Sequence, residues 1–219
     1  MICCGHEPDS TGRKTPPSEQ SGGGVFFAGK RKRDSMKTVE DIAAFIAQHD
    51  DMILHLSAVA QLNLPDCWIG AGFVRDAVWD ALHGRTPDCA RLNDVDVVFF
   101  DTADASAERD GMLEARLADL IPDRPWSVKN QARMHTRNGE PPYRDTADAI
   151  SRWPETATAI AARWRNSRVE ILAPHGVDDL VSLIVRPTPA FHSRRAEVLQ
   201  RIGSKNWRTR WPRLRVEGI

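Results

Sequence analysis

The sequence predicts an α/β (α+β) fold, a small mixed sheet flanked by helices, with added helices at the two ends of the patterned region. Three observations predict it. Segments with apolar residues at helical spacing alternate with short runs of β-branched and aromatic residues. No internal repeat is present, which excludes a solenoid or propeller. The length of 219 residues suits one compact domain of about 150–200 residues with a small appendage.

The elements follow in order. Residues 1–35 are rich in Gly, Ser, Pro and charge, and only Val25–Ala28 is apolar. Such a segment buries too little surface to offset its ordering entropy, so a disordered leader is expected, with the domain spanning 36–219 and Met36 as the expected native start. The basic run Gly29–Arg33 resembles a localisation patch, although runs this short are usually only solvated. Thr38 and Asp41 form a capping-box pattern, and Ile42, Phe45, Ile46, Ile53, Leu56 and Val59 recur near helical spacing. Asn63 and Pro65 close this helix or helix pair. A short strand over Cys67–Gly70 leads through a tight turn, Gly70–Ala71–Gly72, into a helix over Phe73–Leu82.

A loop then leads to a buried strand, Val95–Phe100. Ser106 opens a helix carrying Met112, Leu113, Leu117 and Leu120, which Pro122 and Pro125 end, and Trp126–Val128 reads as a strand. Lys129–His135 is dense in polar groups for a segment beside a strand. Helical stretches are expected around Ala147–Trp153 and over Pro154–Trp164, where Trp153, Ala157, Ile160 and Trp164 recur at helical spacing. Val169–Ala173 is expected as a strand, Val177–Val185 as a short helix, and Ala190–Ile202 as the last long helix.

Charge is unevenly spread over a chain whose formal net charge is zero. Residues 186–219 carry nine Lys/Arg against two Asp/Glu, whereas residues 36–185 carry 15 against 24. An acidic body with a basic end fits a site that holds metal and polyphosphate with different parts; a solvated basic helix is the plainer reading. The cysteines Cys3, Cys4, Cys67 and Cys89 show no paired ligand spacing, so a reducing, cytoplasmic setting is expected. No apolar run approaches the ~20 residues that cross a bilayer, so no membrane partner is expected.

The chemistry concentrates in "RLNDVDVVFFD". Asp94 and Asp96 head an apolar strand, where Asp is depleted, and at i and i+2 they share one face. Their repulsion must be offset by solvent at the strand end or by a cation. Upstream, Gly70 and Gly72 permit a tight turn and close backbone approach, and the helix N-terminus behind them suits anionic oxygens.

The order strand, Gly-x-Gly turn, helix with Val-Arg-Asp, loop, Asp-x-Asp strand resembles the DNA polymerase β superfamily of nucleotidyltransferases. "GAGFVRDAV" is similar to the head motif of CCA-adding enzymes and bacterial poly(A) polymerases. The run from Leu64 to about Trp211, with "WIGAGFVRDAVWD", "LNDVDVVFFD", "WPETATAIAAR" and "KNWRTRWP", resembles a bacterial family of nucleotidyltransferase-like proteins whose motifs carry no substrate identity. The resemblance implies a polymerase β-type core and transfer of a nucleoside monophosphate from an NTP to an acceptor that is a small molecule, RNA or protein. It implies Mg²⁺, or Mn²⁺, held by Asp94, Asp96 and a third carboxylate from another strand, best matched by Glu170, which would also help polarise the nucleophile. Asp101 is a rival on the opposite face of a regular strand. Gly70, Ala71, Gly72, Arg75, Lys129 and Arg133 are the expected nucleotide-binding residues, with Ala71 standing where such motifs carry Gly or Ser. The alternative is an inactive nucleotide- or RNA-binding module that keeps the fold.

Overall fold

The computed structural model describes residues 36–219, so the expectations for residues 1–35 lie outside the described residues. A capping box starts the first helix: Asp41 N–H donates to Thr38 Oγ1 while the Asp41 carboxylate accepts from the Thr38 N–H. Helices α1 (Val39–Ile46) and α2 (Asp50–Ala60) follow as a pair, and α2 leads to strand β1 (Trp68–Gly70). Next come α3 (Gly72–Leu82), β2 (Val95–Phe99), α4 (Ala107–Leu120), β3 (Trp126–Asn130), α5 (Gln131–Asn138) and α6 (Thr146–Ser151). The chain ends with β4 (Ala161–Arg165), β5 (Arg168–Leu172), α7 (Asp178–Val181), β6 (Ile184–Val185), α8 (Arg195–Ser204), α9 (Trp207–Arg210) and β7 (Arg215–Val216).

Five strands form a mixed sheet in the order β3-β2-β1-β4-β5, with β2 and β3 parallel and the other pairs antiparallel. Side chains alternate across it, which separates two environments. One face carries Ile69, Val95, Val97, Phe99, Val128 and Ala162 into the main core, covered by α1 to α4. The other face carries Trp68, Val98 and Ala161, packed with Ile150 and Ala159 into a smaller cluster, and it also carries Asp96.

Three expectations change. The stretch expected as a helix over Pro154–Trp164 instead makes turns and then β4, the first arm of a hairpin closed by Asn166 and Ser167 at φ 50 and 57. Positive φ at both central residues is what a two-residue hairpin turn requires, so the helical spacing of Trp153, Ala157, Ile160 and Trp164 was coincidental. The helix expected over Val177–Val185 stops at Val181, because Leu183 takes φ 59 and Ile184–Val185 becomes β6, paired with β7. The last long helix is divided, with a 3-10 turn at Pro189–Phe191 before α8.

Candidate active site

The site is built where β1 hands over to α3 beside the head of β2. Ala71, the N-cap of α3, adopts φ 52 and ψ −119, a conformation that L residues rarely take. Its own N–H donates to Ile160 O, and the first helical bond runs from Arg75 N–H to Ala71 O. The amides of Gly72, Phe73 and Val74 therefore have no acceptor earlier in the helix, which leaves them at the positive end of its dipole. Gly70 and Gly72 differ in purpose. A Cβ on Gly70 would stand 2.5 Å from the Trp153 ring, so packing demands glycine there. A Cβ on Gly72 would meet nothing nearer than 3.5 Å. Gly72 keeps open a wall that faces Asp94.

Asp94 immediately precedes β2 and Asp96 lies within it. Neither carboxylate accepts a hydrogen bond or joins an ion pair among the described residues. They open onto two adjoining clefts. Asp94 shares a narrow one, about 40 Å³, with Gly72, Arg75, Lys205 and Trp207. Asp96 shares a larger one, about 270 Å³, with Ala71, Lys129, Trp153, Thr158 and Arg201. Burial, followed by the charge of Asp94, pushes the Asp96 carboxyl up to about 6, with Arg75, Lys205 and Arg201 pulling the other way. Two carboxylates that repel, lack protein partners and face cations are a donor set suited to a hard divalent ion.

Arg201 and Lys205 sit one turn apart at the end of α8, and the C-terminal segment brings them here. Trp79, fully buried on α3, meets Trp207 and Trp211 edge-on with ring centroids 5.5 and 5.1 Å apart. Asp76 and Asp80, also on α3, both bind Arg210, at 3.0 and 3.1 Å, and Trp211 Nε1 donates to Asp80 at 2.8 Å. Arg75 lies inside this network: Nε and Nη2 donate to Asp76, Nη1 donates to Thr158 Oγ1, and the guanidinium stacks 4.4 Å over Trp207. It forms part of the wall of the Asp94 cleft.

A family model described as Nucleotidyltransferase matches residues 57–216. The chain belongs to the nucleotidyltransferase family. A solved structure described as revealing a CCA-adding enzyme head domain is 32% identical, with a TM-score of 0.74, covering 84% of this chain and 98% of that one. A CCA-adding enzyme solved with CTP is 17% identical at a TM-score of 0.50. A Thermotoga maritima CCA-adding enzyme solved with tRNA is 16% identical at the same score. These last two are similar in fold, and the match covers 43% and 42% of their lengths. No curated protein sequence gives a significant match.

The fold of this nucleotidyltransferase is thus the head-domain fold, and nucleotidyltransferases generally use divalent metals. Two of the residues expected at the site are not brought to it. Glu170 lies on β5, three strands from β2, on the order of 14 Å at ~4.8 Å per strand. Its carboxylate is held by Arg163 at 2.7 Å and Arg168 at 3.2 Å, a cross-strand arrangement that fastens the hairpin. The positions beside Asp96 on the neighbouring strands are Ser127 and Gly70, so no third carboxylate comes from them. Arg133 is the second. It is tied to the buried Asp110 and to Ala105 O, because β3 ends at Asn130 and α5 turns Arg133 toward α4. Lys129 does line the Asp96 cleft, where it also binds Glu114 at 2.8 Å. Asp101 is paired with Arg109.

Thr158 and Trp153 were not singled out for the site, since their stretch reads as a core helix. Asp51, His55 and Cys89 also come together, on the main-core face. Both ring nitrogens of that His55 are engaged, Nδ1 with Asp51 O and Nε2 with Arg124 Nε.

Proposed function

We propose that this nucleotidyltransferase transfers a nucleoside monophosphate from an NTP to a hydroxyl-bearing acceptor, with Mg²⁺ (or Mn²⁺ in its place) held by Asp94 and Asp96. One observation carries the reading: two unpartnered carboxylates at the head of β2 face the α3 N-terminus and the cations Arg201 and Lys205 across one pair of clefts. Bound there, the ions would neutralise triphosphate charge and align the attacking and leaving oxygens.

The chain supplies the remaining steps. The amides of Gly72 to Val74 seat triphosphate oxygens at the helix N-terminus. Lys205, as a point charge, offsets the negative charge that builds on the leaving pyrophosphate. Arg75 is held by Asp76 and stacked on Trp207, so it keeps the phosphate pocket in shape without moving. Rate enhancement then comes mainly from positioning and charge complementarity. The acceptor hydroxyl enters from the larger cleft, past Lys129 and Trp153. Because the solved CCA-adding enzymes include one with tRNA, RNA stands beside small molecules and proteins as an acceptor class. Free Cys67 and Cys89 fit the reducing cytoplasm, and no helix among the described residues is long and apolar enough to cross a membrane.

The test is to incubate the protein with each labelled NTP and Mg²⁺ alongside metabolite, RNA and protein fractions, and to follow the label. Transfer to one fraction, lost in Asp94→Asn, is expected. NTP binding without any transfer would leave a nucleotide-binding module that keeps the fold.

A further inference from the structure

The larger cleft has a buried charge behind its wall. Glu155 is fully buried, in the turns between α6 and β4, and neither of its carboxylate oxygens has a hydrogen-bond partner among the described residues. Among the described residues its one cationic contact is Arg201, whose Nε stands 3.0 Å from Oε1, itself buried and out of hydrogen-bond alignment. Glu155 therefore engages the inner edge of the guanidinium. The Nη groups donate to no protein acceptor among the described residues, although Arg201 lines the same cleft as Asp96. The guanidinium acts electrostatically on Asp96 without forming an ion pair with it. Both line one cleft of about 270 Å³.

A buried ion pair contributes little net stability compared with an apolar pair of the same size. Fold stability alone is thus a weak reason to bury Glu155. What the pair does provide is a fixed direction. An arginine held along its Nε edge presents two parallel N–H donors, the fork that matches phosphate. A carboxylate behind such a donor keeps it oriented, as outer-shell partners do at other polar sites.

We infer that Glu155 is a positioning residue that locks Arg201, so that the two Nη groups grip a phosphate of the NTP across the cleft from Asp96. The inference rests on the NTP-transfer reading above and adds the device that fixes the nucleotide's phosphates on the Asp96 side.

The experiment measures binding of inorganic tripolyphosphate and of NTP, each with Mg²⁺, by calorimetry, with melting curves for every variant. Arg201→Ala is expected to weaken tripolyphosphate binding about 10- to 100-fold, the range for a charge-assisted bidentate contact. Arg201→Lys should recover only a minor part of that loss, since an ammonium lacks the fork. Glu155→Gln conserves volume and should weaken binding several-fold, and it should have no further effect in the Arg201→Ala background. Glu155→Asp, which keeps the buried charge but withdraws it from Nε, should also bind more weakly, and it decides the matter if the Gln variant does not fold.

Wild-type affinity in Arg201→Ala, or in a folded Glu155 variant, overturns the inference while leaving NTP transfer standing. A Glu155→Gln loss of the same size in both backgrounds, with a lowered melting temperature, assigns Glu155 to the fold and also overturns it. A wild-type protein that binds neither NTP nor tripolyphosphate overturns both this inference and the reading it rests on.

Discussion

Among the carboxylates of the described residues, Asp96 is pushed up furthest. Its carboxyl is raised to about 6 from the ordinary 3.8, first by burial and then by Asp94. A carboxyl raised on folding favours the protonated native state. Its contribution is therefore fully present below pH ~4 and is lost as pH climbs through about 6. In the metal-free protein, Asp96→Asn should match wild type near pH 4. It should exceed it by on the order of 1–2 kcal/mol at pH 8, less than a two-unit shift would imply because solvent still reaches the site. Denaturant melts in EDTA at the two pH values measure this, and a variant less stable at pH 8 would mean that Asp96 serves the fold. Asp94 and Asp96 were legible in the sequence because ionised groups at the head of a buried strand are costly and need a reason. The strain at Ala71 was not, since nothing about one alanine announces a positive φ. Arg201 and Lys205 showed only as excess charge, and their direction depends on how α8 docks.

The β4–β5 hairpin shows how a correct strand can still mislead about a residue. Val169–Ala173 read as a strand and is one, but sequence spacing does not give lateral order in a sheet, and Glu170 lies at the far edge from β2. Glu170→Gln should accordingly leave nucleotidyl transfer within about twofold of wild type. It should cost roughly 1 kcal/mol of stability, as Arg163 and Arg168 lose a half-buried partner. A loss of transfer beyond tenfold at unchanged stability would restore it to the site. The C-terminal basic residues divide in the same way. Arg210 bridges two carboxylates of α3 that Arg75 and Arg85 also pair with, so Arg210→Ala should destabilise by about 1–2 kcal/mol, the loss of one charge-assisted contact to each of Asp76 and Asp80. Lys205→Ala should leave the melting temperature unchanged. It should weaken NTP binding, and more at low salt than at high, because a partly exposed point charge is screened. Equal NTP affinity at low salt would return Lys205 to the solvated helix face.

In the whole molecule, the site joins residues of β1, α3 and β2 to residues of α8 and α9 far along the chain. A ligand that bridges these parts binds only the assembled state, so Mg²⁺ with NTP should raise unfolding free energy by about 2.7 kcal/mol at a hundredfold excess over Kd. Either component alone should do less, since each completes the other's coordination. Thermal melts with Mg²⁺, NTP and both will show this as a shift for the pair that exceeds the sum of the separate shifts. A sum that accounts for the whole shift would count against shared occupancy of the two clefts.

The tryptophan clasp on α3 has a further consequence for how the chain is made. All five strands of the main sheet have been synthesised by Leu172, while Trp207, Arg210 and Trp211 are made only after α8. Until then the nascent domain lacks the rings that meet Trp79 and the guanidinium that bridges Asp76 to Asp80. A ribosome stalled shortly after α8 therefore holds a chain with its sheet complete and one greasy, acidic flank of α3 uncovered. Such a chain has its sheet but not its finished site, so the cleft beside Asp94 is completed only once Trp207, Arg210 and Trp211 have been made.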